Sequence, residues 1–200
     1  MRKMNKILIG THNKGKFKEL SYLLSKKIKK ISPKQLGIKS PKENGKSFLA
    51  NSKIKAKYFY KHSKIITLSD DSGLSIDSLS GKPGIYSARW SKRYGGFKNA
   101  MKKIIKMVRD KNKKAKHKNT KAKFVCSLTL YFKKGRSVSA EGKIYGNISE
   151  KIKGKNGFGY DPIFIPKNYK ITFGEMSKKK KILMDHRYIA FKKLKKKINI

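Results

Sequence analysis

The chain has 200 residues, of which 37% are hydrophobic and 32% charged, and its length predicts one domain over residues 1–200. A single cysteine excludes an intramolecular disulfide framework and a four-cysteine metal site, and the apolar runs are too short for a transmembrane helix or a secretory signal. The formal net charge of +43 excludes an acidic protein and implies affinity for polyanions. We therefore expect a soluble cytoplasmic protein.

The first half of the chain alternates short apolar runs with helical spacing. Residues 6–10 predict a strand, and apolar residues from Phe17 to Leu24 follow at the spacing of a helix. The same patterns predict a second helix over 47–61, then strands over 65–68 and 74–77, and a loop-rich segment over 78–96.

The second half continues the alternation. We expect a helix over 99–108 and an exposed, mobile connection over 111–121. Two strands over 124–132 and 137–144 are predicted to be joined by a turn at 133–136, and a glycine-rich segment over 154–160 leads into residues 162–165. Ser177 is a candidate N-cap for a helix that ends the chain. Interleaved strands and helices indicate an α/β class with a mixed sheet.

The positive charge is carried almost entirely by lysine. Only six of the 54 basic residues are arginine, and the lysines are spread along the whole chain. A dedicated nucleic-acid reader usually depends on arginine, whose planar guanidinium pairs with phosphates and bases. Compositional drift on solvated faces and a nucleic-acid-binding role are the two alternatives. In such a background, the 11 acidic residues are the informative ones.

Residues 10–16 (Gly-Thr-His-Asn-Lys-Gly-Lys) match the P-loop pattern G-x-x-x-x-G-K between a predicted strand and helix. A P-loop needs Ser or Thr next to coordinate magnesium, and this chain has Phe17, so the P-loop hypothesis fails. A glycine-bearing loop ahead of a helix still offers backbone N–H groups to an anion, and Lys14 and Lys16 add positive charge. An ordinary tight turn is the alternative.

Two adjacent acids, Asp70 and Asp71, follow the strand predicted over 65–68. Carboxylates near a phosphate-attracting loop suit Mg²⁺, which prefers oxygen ligands and substrate phosphates. One of them could also accept a proton from a hydrolytic water. The alternative is a structural turn built on aspartate.

Residues 157–162 (Gly-Phe-Gly-Tyr-Asp-Pro) combine a flexible turn with two aromatic rings and one acid, on which a nucleobase could stack. Residues 185–187 (Asp-His-Arg) place two cationic side chains near a helix start, where they could meet phosphate or a purine oxygen. Each segment alone has a plain structural alternative, a tight turn or surface side chains.

Together these segments resemble one family, the Ham1/inosine-triphosphatase family of noncanonical purine nucleoside-triphosphate pyrophosphatases. The most specific motifs are Asp-Asp-Ser-Gly-Leu-Ser-Ile-Asp at 70–77 and Gly-Phe-Gly-Tyr-Asp-Pro-Ile-Phe at 157–164. The other matching segments keep the family's order along nearly the whole chain: 11–19, 43–48, Lys55 with Ala56, 81–89, 175–177, Lys181, and His186 with Arg187.

The resemblance implies an elongated mixed β-sheet with flanking helices, two lobes around a central nucleotide-binding cleft, and a homodimer. It implies Mg²⁺-dependent hydrolysis of ITP, dITP and XTP to the monophosphate and pyrophosphate, which cleanses the nucleotide pool. Arg187 and nearby backbone N–H groups are then expected to donate to the purine C6 oxygen, which adenine lacks.

The resemblance also assigns roles to single residues. Asp71 would be the catalytic carboxylate, with Glu43 as its partner at the metal. The triphosphate would be held by Thr11, His12, Asn13, Lys14, Gly15, Lys16 and Lys55. The rest of the nucleotide site would comprise Ser72, Phe158, Gly159, Tyr160, Asp161, Lys181, His186 and Arg187.

The chain departs from the family pattern at three places. Ala50 replaces an acid in the segment 47–52, and the segment 91–96 lacks the usual acids; both changes are expected to affect a helix surface or dimer contacts. Asp185 replaces the serine of a Ser-His-Arg triplet, which bears on base selectivity.

Two other functions remain as alternatives. One is a basic nucleic-acid-binding protein on an inactivated nucleotide-hydrolase scaffold, against which the intact acid pair at 70–71 argues. The other is a pyrophosphatase of similar fold acting on pyrimidine or modified nucleotides. The Phe-Gly-Tyr-Asp segment and the His-Arg pair argue against it.

Overall fold

A computed structural model describes residues 5–113 and 115–198. Its strands are β1 (Lys6–Ile9), β2 (Lys29–Ile31), β3 (Thr67–Ile76), β4 (Lys121–Tyr131), β5 (Ser137–Ile148) and β6 (Phe164–Pro166). Its helices are α1 (Lys14–Leu23), α2 (Phe48–Ser63), α3 (Ser87–Arg93), α4 (Phe97–Lys113), α5 (Lys178–Ile182) and α6 (His186–Ile198). Within the described residues, no helix has both the length and the apolar composition that crossing a membrane requires.

The six strands form one mixed sheet in the order β2-β1-β3-β4-β5-β6. β1 runs parallel to β2 and to β3, with Leu8 opposite Ile31 on one side and opposite Thr67 on the other. β5 and β6 are antiparallel, with Asn147 opposite Ile165. The predicted α/β class with a mixed sheet is therefore confirmed.

The two strands predicted over 65–68 and 74–77 are in fact one strand, β3, so the prediction of two separate strands is wrong. Gly73 lets residues 84–87 pack closely against this strand, because a Cβ at this position would overlap the Gly84 carbonyl oxygen and the Ser87 hydroxyl. The Leu74 N–H donates to the Ser87 Oγ at 2.9 Å. As a result, Asp70 and Asp71 lie inside a strand instead of at its end.

Other predicted boundaries also shift. The segment 78–96 contains α3, and the helix expected over 99–108 extends to Lys113 as α4, so it takes in the start of the connection predicted over 111–121. Ser177 does cap a helix, since its Oγ accepts from the Lys180 N–H at 3.3 Å. That helix is the short α5, and the chain ends in a separate helix, α6.

The chain divides into two compact units, each with its own apolar core. Among the described residues, the first unit comprises residues 5–71, 126–142 and 187–198. Its core joins side chains of β1, α1, β3, β4 and α6, and its buried members include Ile7, Ile9, Leu20, Leu68, Leu128, Ala190 and Leu194.

The second unit comprises residues 72–125 and 143–186. One face of α4 is buried in its core through Ala100, Met101, Ile104 and Val108, a spacing that places them on one side of a helix. Three aromatic rings pack beside them, with the Phe164 ring centroid 4.7 Å from that of Phe124 and 5.4 Å from that of Phe173.

We predict that Phe164→Ala lowers the free energy of unfolding by about 3–5 kcal/mol, because it leaves a cavity among buried rings. Chemical denaturation followed by circular dichroism measures this change. Tyr145→Ala is the control, since the Tyr145 side chain is 56% exposed and its loss should cost at most about 0.5 kcal/mol. Equal losses for the two variants would contradict this account of the core.

Candidate active site

The loop after β1 leads into the N-terminus of α1. Asn13 is the N-cap of α1, and its Oδ1 accepts from the Lys16 N–H at 3.0 Å. Thr11 is buried and accepts from the Asn13 N–H, while His12 is exposed and bonds the Ser40 hydroxyl at 2.7 Å. The loop therefore directs a helix N-terminus, with its free N–H groups, to one end of β1.

Asp70 is fully buried in β3 and is surrounded by cationic side chains of the first unit. Its Oδ2 lies 3.1 Å from the Lys16 Nζ and 3.6 Å from the Arg187 Nε. Burial by itself would raise the pKa of Asp70, but the charges of Lys16, Lys55 and Arg187 outweigh it and hold this pKa far below its ordinary value. Asp70 is thus a permanently ionised counterion.

Arg187 extends this network to α1. Its Nη1 lies 2.6 Å from the Glu19 Oε2, and both side chains are buried. The pair joins α6 to α1 across 168 positions of sequence. Arg187 was expected at the purine base from the family resemblance; in the first unit its guanidinium contacts two carboxylates.

Asp71 follows in the same strand, so its side chain points to the opposite face from that of Asp70. Its Oδ2 accepts from the Asn51 Nδ2 at 3.0 Å, and the Asn51 Oδ1 accepts from the Gly45 N–H at 2.8 Å. Burial raises the pKa of Asp71 above its ordinary value, although Lys16, Lys55 and Asn51 oppose the shift. The two adjacent acids therefore have pKa values displaced in opposite directions.

Lys55 on α2 connects the backbone of Asp70 with Glu43. Its Nζ donates to the Asp70 carbonyl oxygen at 2.8 Å and lies 3.1 Å from the Glu43 Oε1. Burial lowers the pKa of Lys55, but the carboxylates of Asp70, Glu43 and Asp71 outweigh it and hold this pKa above its ordinary value. The ammonium is therefore charged and held in place.

The donor set of the first unit fits Mg²⁺. Glu43 and Asp71 supply carboxylate oxygens, and the charges of Lys55 and Glu43 both act on Asp71. No group of three or more His, Cys, Asp or Glu side chains in the described residues forms a complete metal cage. Mg²⁺ is commonly held by one or two carboxylates together with substrate phosphates, so two carboxylates suffice.

The second unit contains a separate charged cluster around Lys181. The Lys181 Nζ lies 3.1 Å from the Asp161 Oδ2 and 3.3 Å from the Asp185 Oδ2, and all three side chains are almost completely buried. The same Nζ lies 4.9 Å from the centroid of the Phe158 ring. The Phe158 N–H donates to the Asp161 Oδ2 at 2.8 Å, which ties the ring to the cluster.

The other aromatic side chains predicted for the site are less accessible. Tyr160 is buried in the core of the second unit and donates its hydroxyl to the Ser87 carbonyl oxygen at 2.9 Å; burial raises its pKa. His186 is also buried, with its ring stacked on Phe124 at a centroid distance of 4.8 Å. Phe158, which is half-buried, is therefore the ring best placed to stack with a base.

The predicted residues thus fall into two sets. The first unit holds the segment 11–16, Glu43, Lys55, Asp71 and Arg187, and the second holds Ser72, the segment 158–161, Lys181 and His186. Two contributors were not predicted as site residues, namely Asn51, which orients Asp71, and Glu19, which binds Arg187. A signal for Asn51 exists, because Asn51, Ser52 and Lys55 give α2 a buried polar face at helical spacing.

Comparison with known proteins identifies the family of this chain. The profile of the Ham1 family matches residues 7–197. The chain belongs to the Ham1 family. A relative from Zymomonas mobilis named dITP/XTP pyrophosphatase is 37% identical over 190 residues, covering 94% of this chain and 90% of the relative. A relative of the same name from Caulobacter vibrioides is 38% identical over 190 residues, covering 95% and 96%.

Solved structures of Ham1 family members share the fold. A HAM1 protein from Coxiella burnetii superposes with a TM-score of 0.86 at 28% identity, covering 98% of this chain and 99% of that one. A nucleoside-triphosphatase, dITP/XTP pyrophosphatase, from Mycobacterium abscessus superposes with a TM-score of 0.68 at 34% identity, covering 87% and 90%. The mixed-sheet architecture of this chain is therefore that of the Ham1 family.

We predict that Glu19→Gln lowers the free energy of unfolding by about 3 kcal/mol, because it removes the partner of a buried guanidinium. Urea denaturation measures the change. Asp110→Asn is the matched control, since Asp110 is 45% exposed and solvent screens its pair with Lys106, so this substitution should change the free energy of unfolding far less. A loss for Glu19→Gln as small as that of the control would contradict a structural role for the buried pair.

Proposed function

We propose that this protein hydrolyses noncanonical purine nucleoside triphosphates (ITP, dITP and XTP) to the monophosphate and pyrophosphate, and so cleanses the nucleotide pool. The observation that carries the proposal is the pair of buried adjacent aspartates among fixed cations. One is held ionised by Lys16, Lys55 and Arg187, and the other has a raised pKa. Membership of the Ham1 family and relatives named dITP/XTP pyrophosphatase support the same reaction.

The proposed roles in the first unit follow from charge. The N–H groups at the start of α1, together with Lys14, Lys16 and Lys55, bind the triphosphate, since each offers positive charge or hydrogen-bond donors to phosphate oxygens. Thr11, His12 and Asn13 shape the loop that presents these groups, and Gly15 lies in the first turn of α1.

Asp71 is proposed as the proton acceptor for the attacking water. A carboxylate with a raised pKa is a stronger base than an ordinary one, and Asn51 holds its Oδ2 in a fixed direction. Asp70 has a different role, because a carboxylate held ionised by cations is a poor proton acceptor. It keeps Lys16 and Arg187 in position.

Mg²⁺ is the proposed cofactor, with Glu43 and Asp71 as its protein ligands. When bound, the ion neutralises phosphate charge and polarises the phosphoanhydride being cleaved. Lys55 lies beside Glu43 and limits the repulsion between the two ligand carboxylates.

Base recognition is proposed for the second unit. Phe158 supplies an aromatic face, with Lys181 and Asp161 beside it. Ser72, Gly159 and His186 are proposed to supply further polar groups or backbone to the site. Tyr160 acts as a support, since its hydroxyl bonds the Ser87 carbonyl oxygen. Arg187 remains proposed as a donor to the purine C6 oxygen, in addition to its ion pairs.

A homodimer and non-specific binding of polyanions also remain proposals. The homodimer rests on the family resemblance and is measured by sedimentation equilibrium. Polyanion binding rests on the net charge of +43, and it should weaken steeply with salt and show no sequence preference.

We predict that Asp71→Asn lowers kcat for ITP by about 10²–10⁴-fold at saturating magnesium, because it removes the positioned proton acceptor. Pyrophosphate release measures the rate. Asp77→Asn is the matched control, since Asp77 lies exposed in the same motif and should leave kcat unchanged. An Asp71→Asn enzyme that keeps more than about a tenth of the wild-type kcat would rule out the assignment.

For the wild-type enzyme, we predict that kcat/KM is highest for ITP, dITP and XTP, lower for GTP and lowest for ATP. Donors aimed at the C6 oxygen face another donor when adenine enters, and such a mismatch can reduce kcat/KM by about 10⁴–10⁵-fold. A pyrophosphate-release panel over these nucleotides measures the order. Equal kcat/KM for ATP and ITP would show that this explanation of base choice is wrong.

A further inference from the structure

Two buried carboxylates and one buried ammonium form the charged cluster of the second unit. The Lys181 ammonium is shared by Asp161, at 3.1 Å, and Asp185, at 3.3 Å, with at most 4% of any of the three side chains exposed. Among themselves, these three side chains carry a formal charge of −1. Because they are buried, solvent screens this charge much less than it would at the surface.

The fold holds each member of the cluster in place. Asp185 lies just beyond α5, and its N–H donates to the Lys181 carbonyl oxygen at 3.0 Å, so the backbone sets the separation of the two side chains. Asp161 is fixed by the Phe158 N–H, and a Cβ at Gly157 would overlap its carboxylate. The negative charge therefore has a defined position in the second unit.

That position adjoins the ring proposed to stack with the base. The Lys181 Nζ lies over the Phe158 ring, and Asp185 contacts the same ammonium. A base stacked on Phe158 would come under the influence of the cluster's charge. This step rests on the proposed function, specifically on the placement of the base at Phe158.

The candidate bases differ in charge. The xanthine of XTP loses a ring proton near neutral pH and becomes an anion, whereas the hypoxanthine of ITP and dITP stays neutral. A buried negative charge raises the free energy of a nearby anion and leaves a neutral base almost unaffected.

We propose that Asp185 is a specificity-determining residue that disfavours XTP relative to ITP, because its carboxylate adds a second buried negative charge to the Asp161–Lys181 pair. Asp185 neither accepts nor donates a proton in the reaction. It acts through the charge it places near the base.

The experiment compares Asp185→Asn with the wild-type enzyme at slightly alkaline pH, where xanthine is anionic. Within one preparation, we expect the ratio of kcat/KM for XTP to that for ITP to rise about tenfold, the effect of removing one unit charge about 12 Å from the base at an effective dielectric constant of about 20. This ratio does not depend on how much of the preparation is folded. Asp110→Asn makes the same chemical change at an exposed site and should leave the ratio unchanged.

A second variant and a binding measurement complete the test. Asp185→Ser removes the same charge with a smaller side chain, and calorimetry compares the binding of XMP with that of IMP. The kcat/KM ratio of XTP to ITP and the affinity ratio of XMP to IMP should both rise. Ratios within about twofold of wild type in both variants, with ITP still hydrolysed, would overturn the role of Asp185. A wild-type enzyme that hydrolyses neither ITP nor XTP would overturn the proposed function instead, and the binding ratios would then decide the role of Asp185.

Discussion

The burial of the Asp70 carboxylate is the constraint on which the first unit depends. An ionised carboxylate removed from water is stable only beside compensating charge, and here Lys16, Lys55 and Arg187 provide it. These cations come from α1, α2 and α6, while the acid lies in β3. One buried charge therefore determines how three helices are placed around a central strand, and Glu19 adds a second anchor for Arg187.

The same arrangement gives the neighbouring residues Asp70 and Asp71 different partners and different acidities. Because successive strand residues point to opposite faces, Asp70 meets Lys16 and Arg187 while Asp71 meets Asn51. Asp70 remains an anion that positions cations, and Asp71 has a raised pKa that suits proton transfer. The second unit uses the opposite arrangement, in which one cation, Lys181, is held by two acids. In the proposed function, the cations around Asp70 bind phosphate, and the charge of the acids around Lys181 acts on the base.

Local patterns were sufficient for much of the architecture. β1, α2 and the strand pair β4 and β5 were predicted because their apolar spacing and turn residues lie close together in sequence. The predicted break within β3 was wrong, since the polar run at 69–72 is typical of a turn. The extended conformation of this run depends on distant side chains that bond its polar groups. The Asn51 amide donates to the Asp71 carboxylate, and the Lys55 ammonium donates to the Asp70 carbonyl oxygen. The prediction of a single terminal helix was also wrong, because the structure has two helices there, α5 and α6.

By itself, the sequence determined the α/β class and the family, because these depend on residue types in a fixed order, and it supplied the residues that are proposed to carry the chemistry. Only the tertiary structure decided what each of those residues contacts. The Arg187–Glu19 pair joins positions 168 residues apart, and the Asn51–Asp71 bond joins α2 to β3. Likewise, the two acids on Lys181 meet only because the segment at 157–161 folds against α5. Burial sets how strongly these charges interact, and burial results from tertiary packing, which no local sequence pattern contains.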